Sequence, residues 1–134
     1  MSKTKLQVEY DFDFCLIGIV CSEKDFRFCW MLNNQLGWKL AKTEDHVSAA
    51  GNHSLFTFGE EELMRDYYLI VNKSDSGKLL VEEHQHTDYF IIIKGEITNE
   101  EKKYFAEQIK KLASVSASYL IDANTLKSKQ NLIF

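Results

Sequence analysis

The sequence predicts an α+β protein, in which a mostly antiparallel, curled sheet of about seven strands carries two helices on one face. Segments 14–21, 66–72 and 88–94 have apolar residues at both odd and even positions, which is typical of strands buried on both faces. Two other segments repeat apolar residues at helical spacing, and short apolar runs alternate with turn residues. Because 134 residues is the length of one domain, we expect a single domain over 1–134.

The first predicted helix follows 14–21, the first strand with apolar residues on both faces. Ser22 with Asp25 three residues later resembles a capping box, and Gly37 is suited to a left-handed helix end. The apolar positions between them are Phe28, Cys29, Leu32 and Leu36.

The second predicted helix begins at Thr98, with Glu101 completing a capping box. Its apolar side is formed by Phe105, Ile109 and Leu112. Both helix predictions therefore depend on end signals as well as on periodicity.

The remaining strands are predicted from alternation and from turn residues. An alternating segment from residue 8 runs into the strand at 14–21, where Gly18 indicates a close approach by another element. Residues 73–77 predict a hairpin between strands at 66–72 and 78–83. Residues 43–53 are predicted to form a loop in which the histidines, His46 and His53, are exposed. Residues 59–66 form either a helical turn or a hairpin connection. Further strands are predicted at 38–42, 55–58 and 116–122, and the apolar tail 131–134 is expected to dock.

The strand count requires a second covering layer. One helix is about as wide as two strands, so two helices cover roughly four strands on one face of a sheet. The two-sided strands need cover on the other face as well. Either the chain's remaining strands fold over it, or a second copy covers it and makes a C2 homodimer.

Composition excludes several classes of partner. The net charge is −4 and no cluster of basic residues is present, which argues against nucleic acid. No apolar run has the length of a membrane span. The three cysteines, Cys15, Cys21 and Cys29, lie in apolar stretches without metal-binding spacing, so we expect buried thiols and a cytoplasmic location.

The segment EEHQHTD at 82–88 raises the question of a metal site. In an extended strand His84, His86 and Asp88 would share one face, and two imidazoles with a carboxylate suit zinc or iron. The alternative is a solvated connection between two strands, because no glycine and glutamate stand at the spacing of familiar His-x-His sites. We favour the connection, and expect no cofactor.

The segment VEEHQHTDY at 81–89 resembles the motif that names the IPExxxVDY family of small bacterial proteins, whose function is not established. The residues that match the motif are Glu83, Asp88 and Tyr89. Glu82 and Thr87 depart from it, standing where the motif has Pro and Val. The segments FRFCWMLN at 26–33 and LIVNK at 69–73 are also similar to the family.

The resemblance implies a bacterial, cytoplasmic setting and a shared fold, but no activity. It makes five residues candidates for a ligand site or an interface: Glu83, Asp88, Tyr89, Trp30 and Asn33. The histidines of the segment fall on the open positions of the motif, which speaks against a metal site common to the family.

No catalytic motif is found, so the sequence favours a non-catalytic binding domain that acts as a homo-oligomer or as an adaptor for another protein. One alternative is a small-ligand sensor with a pocket lined by aromatic residues such as Phe12, Phe26, Tyr67 and Tyr89. The other is a metalloprotein using His84, His86 and Asp88.

Overall fold

The computed structural model describes residues 12–134, which form a six-stranded antiparallel sheet, a two-stranded sheet and two α-helices. In chain order the elements are β1 (Cys15–Cys21), α1 (Asp25–Leu36), β2 (Ala41–Lys42), β3 (His46–Ser48), β4 (Gly51–His53), β5 (Leu55–Glu60), β6 (Arg65–Val71), β7 (Tyr89–Lys94), α2 (Asn99–Lys110) and β8 (Val115–Ile121). Two 3-10 helices follow, at Ala123–Thr125 and Lys129–Leu132. The predicted α+β class is confirmed. The alternating segment before residue 12 lies outside the described residues.

The main sheet has the strand order β2-β5-β6-β7-β1-β8. Its two most apolar strands, β1 and β7, are direct neighbours, paired from Cys15 with Ile93 to Ile19 with Tyr89. Since both strands are apolar at nearly every position, this inner pair is where cover on both faces of the sheet is needed most.

Both helices lie on the same face of the sheet. Phe28 and Leu32 of α1 and Ile109 of α2 are fully buried against the odd-numbered residues of β1, β6 and β7. On this face Trp38 packs against Tyr67 and Phe105 at ring-centroid distances of 4.8 and 5.4 Å. The prediction of two helices on one face is thus confirmed.

The chain itself covers the other face, which we call the second face. Even-numbered residues of the central strands point there, among them Leu16, Ile70, Phe90 and Ile92. They are covered by the connection after β6, through Leu80 and Val81, and by the C-terminal segment, through Ala123, Leu126 and Leu132. The cover is irregular chain and 3-10 helix rather than strands, and its burial removes the physical reason for expecting a dimer across this face.

The predicted strand at 78–83 is wrong, because the side chain of Asn72 forms hydrogen bonds with the backbone of this segment and the residues after it. Its Oδ1 accepts the N–H of Val81 at 3.0 Å, and its Nδ2 donates to the carbonyls of His84 and Thr87 at 3.1 and 2.8 Å. Of the expected hairpin, a single bridge between Lys73 and Leu79 is present among the described residues. A buried amide that satisfies three backbone groups can replace a strand ladder.

The two helices begin differently from each other. The capping box of Thr98 and Glu101 at α2 is confirmed. The capping box predicted at Ser22 is wrong: the cap of α1 is Lys24, without a side-chain hydrogen bond, because the Ser22 N–H is bonded to the carbonyl of Ser114 beside the sheet. Gly37 ends α1 in the left-handed conformation, at φ 69°, as predicted.

The predicted loop at 43–53 contains the β3–β4 hairpin, and its histidines face each other. His46 pairs with His53 across the hairpin. His53 has no exposed surface: its Nδ1 donates to the Val71 carbonyl at 2.9 Å and its Nε2 accepts from the Ser48 hydroxyl at 3.2 Å. The expectation that both are simply exposed is wrong, since half-buried His46 stacks on Phe134 at 4.2 Å.

Burial of His53 makes stability depend on pH. Desolvation of the ring lowers the pKa of His53 below its usual 6.5. Above that pH the imidazole is neutral in both folded and unfolded chains. As pH falls below about 6.5 the unfolded chain takes up a proton that the folded chain does not, so the free energy of unfolding decreases, by at most about 1.4 kcal/mol per pH unit, until the folded pKa is reached.

Urea unfolding at several pH values between about 5 and 8 measures this loss, in a window above most carboxylate titrations. A His53→Gln variant keeps a polar amide at the site without the titrating group, so its stability should vary less over that range. An equal pH dependence in the two proteins would contradict the assignment.

Residues 59–66 form a hairpin connection between β5 and β6, one of the two predicted alternatives, with Glu60 paired to Arg65. Met64, at its tip, is 83% exposed and has a positive φ of 52°. A side chain is disfavoured in that conformation, so Met64→Gly should stabilise the fold by about 0.5–1 kcal/mol despite the entropy of glycine. Thermal unfolding against Leu63→Gly, whose backbone has no positive φ, tests this: an equal effect of both would contradict it.

Candidate interaction surface

Glu83, the first of the motif residues, holds the C-terminal segment in place. Its carboxylate accepts hydrogen bonds from the backbone N–H groups of Lys127 and Ser128 and from the Ser128 hydroxyl at 2.6 Å. Partial burial alone would raise the pKa of Glu83, but these hydrogen bonds outweigh it and lower the pKa below its usual value. The Glu83 carboxylate is therefore bonded within the chain, in a structural role.

Asp88 and Tyr89, the other motif residues, tie β7 to the end of β1. The Asp88 carboxylate accepts the N–H of Cys21 at 2.9 Å, and the Tyr89 hydroxyl donates to the Glu23 carbonyl at 2.6 Å. Burial raises the pKa of Tyr89, so its hydroxyl stays protonated as a donor. All three motif residues thus bind backbone groups of this chain, a structural role.

The histidines of the same segment point to different surroundings. His84 is half-buried, with its Nδ1 3.3 Å from the Tyr119 hydroxyl, which also bonds to Thr87. His86 is exposed. Within residues 12–134 no group of three or more histidine, cysteine, aspartate or glutamate side chains is arranged to hold a metal ion. The structure therefore lends no support to the metal hypothesis at His84, His86 and Asp88.

The aromatic residues suggested for a ligand pocket are spread over the molecule. Tyr67 and Tyr89 are buried on the helix-covered face, while Phe12 packs at the second face and Phe26 is exposed. The side chains that were to line one pocket therefore do not meet.

The cysteines are buried and free, as predicted. Burial raises the pKa of both Cys15 and Cys29 to about 11, which keeps them as thiols near neutral pH. They act as small apolar residues of the core.

The two remaining candidates lie on α1 and have opposite roles. Asn33 fixes the chain after the helix: its Oδ1 accepts the Leu40 N–H at 2.9 Å and its Nδ2 donates to the Leu40 carbonyl at 3.0 Å. Trp30 points away from the core with 59% of its surface exposed. Of the five candidates from the family resemblance, Trp30 is the one left unused by the fold.

Trp30 belongs to a larger exposed surface, which we call the α1 surface and which is formed by Phe26, Arg27 and Trp30. Phe26 lies one turn before Trp30 and is 64% exposed. The Arg27 guanidinium lies 5.2 Å from the centre of the Trp30 ring, and the edge of Phe26 contacts Phe56 of β5 at 5.3 Å. The contact with Phe56 anchors the surface to the sheet.

The α1 surface has the composition of a protein-binding surface. Tryptophan and arginine are the residues most enriched at interface positions that dominate binding, and a cation over an aromatic ring keeps both side chains ordered before a partner arrives. Lys42, whose ammonium lies 5.9 Å from the Phe56 ring, borders the same region. The surface is thus apolar at its centre and is flanked by Arg27 and by Lys42, whose ammonium is paired with Asp45 at 2.9 Å.

No family model, no curated protein and no solved structure matches this chain. The family resemblance at 81–89 is therefore left as a prediction. No helix among the described residues is long and apolar enough to cross a membrane.

Sequence reasoning missed the part of the α1 surface formed by Phe26 and Arg27. A signal was available: Phe26 and Trp30 are four residues apart, whereas the buried positions Phe28 and Leu32 form a separate set at the same spacing. A surface helix packs on the core with one apolar side, so aromatic residues on its other side indicate a second contact surface.

Proposed function

We propose that this chain is a non-catalytic protein-interaction domain whose α1 surface binds a protein partner. The observation that supports it most is the exposure of Phe26 and Trp30, one turn apart on a helix whose other side is fully packed. Large aromatic side chains grouped on a surface are unusual unless they are covered by a partner. The aromatic centre and the Arg27 guanidinium beside it favour a partner with an apolar centre and a carboxylate that can pair with Arg27.

The partner is either a second copy of the chain or another protein. Size-exclusion chromatography with light scattering over a range of concentrations tests the first. Self-association through this surface predicts a mass that rises from 15.6 kDa toward a dimer, and that stays monomeric in a Phe26→Ala/Trp30→Ala variant. A monomer at every concentration would remove the homo-oligomer and leave the adaptor.

Site-specific photo-crosslinking tests the adaptor. A benzophenone amino acid replaces Asn34, an exposed residue one turn after Trp30, in one variant and Glu107, an exposed residue of α2, in a matched control. In the source organism we expect one protein to be captured from position 34 and not from position 107, and excess unlabelled chain to compete only if Phe26 and Trp30 are intact. Capture that is equal at both positions would refute the proposed surface.

The resemblance to the IPExxxVDY family, a bacterial origin and a cytoplasmic location remain part of this proposal. The free, buried thiols and the structural use of Glu83, Asp88 and Tyr89 are compatible with them. A family in which these three residues hold the fold together would retain them whatever its members bind.

A further inference from the structure

Strand β8 lies at the edge of the main sheet and, beyond a register shift near its start, where Cys21 pairs with Val115, has no feature among the described residues that blocks its outer side. Its sequence, VSASYLI, has no charged residue and no proline over seven positions. Among residues 12–134, no strand pairs with its outer side. Edge strands of this length are ordinarily blocked by lysine or proline, because their free backbone groups otherwise pair with another chain.

The free backbone groups are those of Ser118 and Leu120. The Ile19 carbonyl accepts a hydrogen bond from the Asp88 N–H and so faces β7, whereas the Val20 carbonyl faces β8, where the Ser116 hydroxyl reaches it. Backbone groups alternate along a strand, so the even-numbered residues of β1 from Leu16 to Val20 exchange hydrogen bonds with their partners Ile121, Tyr119 and Ala117. The residues between those partners direct their N–H and C=O groups outward.

Helix α2 lies above β8 and places two lysines along this edge. Glu101 is turned toward β6, where Nη2 of Arg65 donates to both of its carboxylate oxygens. Gln108 is turned toward α1, where the Gln35 amide donates to it. At 100° per residue, Lys103 and Lys110 lie on the opposite flank of the helix, over the open side of β8. Both lysines are exposed.

The Ser118 side chain adds an unused donor at the same place. Tyr119 points to the second face, where it meets His84 and Thr87, so Ser118 points to the α2 side. Its hydroxyl is buried and has no hydrogen-bond partner among the described residues. If the side chain rotates toward the outer side of β8 when a strand is added there, an acceptor of that strand would satisfy the hydroxyl.

We infer that the β8 edge binds an extended, acidic segment of another polypeptide as an additional antiparallel or parallel strand. The outward backbone groups of Ser118 and Leu120 supply the hydrogen bonds, and Lys103 and Lys110 select glutamate or aspartate on the α2 side. A second copy of this chain is not the occupant, because pairing β8 with β8 about a two-fold axis would bring the same two lysines of each copy together.

Two synthetic peptides with blocked ends test the inference on the full chain. In one, glutamate alternates with valine over seven residues; in the other, lysine replaces every glutamate. Titration followed by ¹H–¹⁵N NMR should show shifts centred on Ser118 and Leu120, slower amide exchange at both, and binding of the lysine peptide roughly tenfold weaker or more. Added salt should weaken the glutamate peptide.

Charge reversal provides the decisive comparison. Lys103→Glu/Lys110→Glu should exchange the preference of the edge for the two peptides, whereas Lys111→Glu, on the solvent side of the end of α2, should leave it unchanged. Ser118→Pro removes an outward N–H and should abolish binding of both. Equal binding of the two peptides, shifts that map away from β8, or no response to the double reversal would overturn the inference.

Discussion

Deletion of residues 123–134 is expected to lower the free energy of unfolding by on the order of 5 kcal/mol, the largest effect predicted for this chain. The segment buries Leu126 and Leu132 on the second face, at 6% and 1% exposure, and Phe134 packs beside them. Each buried leucine contributes about 1.5–3 kcal/mol. Without them Phe90 and Ile92, at the centre of the sheet, would be exposed to water.

Urea unfolding and the binding of a hydrophobic dye measure the effect, since the deleted protein should unfold at lower urea and bind the dye. The single change Leu132→Ala should cost about 2–5 kcal/mol, and Val47→Ala, at a position 72% exposed, should change stability by less than about 0.5 kcal/mol. A deleted protein that remained a monomer of unchanged stability would show that the second face is covered by something else.

Substitution of Gly18 by alanine is expected to cost about 2 kcal/mol, because the added methyl group enters a space that is already filled. A Cβ at this position would lie 2.8 Å from Cζ of Tyr119 and 3.0 Å from Cδ1 of Ile121. The tyrosine ring lies across the strand and is held by hydrogen bonds to Thr87 and His84. To make room the ring must move, and these hydrogen bonds must lengthen or break.

A double-mutant cycle separates this clash from the general cost of changing a strand. Gly59→Ala is the matched control, because the nearest atom to a Cβ there is an Asp66 oxygen at 3.5 Å and its φ is not positive. In a Tyr119→Ala background, Gly18→Ala should lose most of its cost, which gives a coupling energy of about 1 kcal/mol or more. An unchanged cost in that background would mean that the ring is not the obstacle.

Much of the fold could be predicted because its signals are local. The apolar pattern on both faces of 14–21 and 88–94 identified two neighbouring inner strands, and the capping box at Thr98 placed the start of α2. Gly18 indicated a close approach, and the structure shows that Tyr119 makes it. In each case the physical requirement, burial on both faces or a satisfied N–H group, acts within a few residues of the signal.

The predictions that failed depend on contacts between distant residues. Asn72 turns 78–83 away from strand pairing only because its amide reaches backbone groups up to fifteen residues later. His53 is buried only because Val71 and Ser48 satisfy its two ring nitrogens. The sequence pattern shows that these side chains are polar, but not whether the folded chain supplies hydrogen-bond partners for them.

For the candidate sites the sequence determined which side chains are present, and the tertiary structure decided which of them are free to act. Glu83, Asp88 and Tyr89 looked like site residues, yet each is bound to backbone of its own chain. Trp30 was one candidate of five, and it is exposed beside Phe26. The physical reason is that burial and hydrogen bonding are properties of the folded neighbourhood, which brings together residues far apart in the chain.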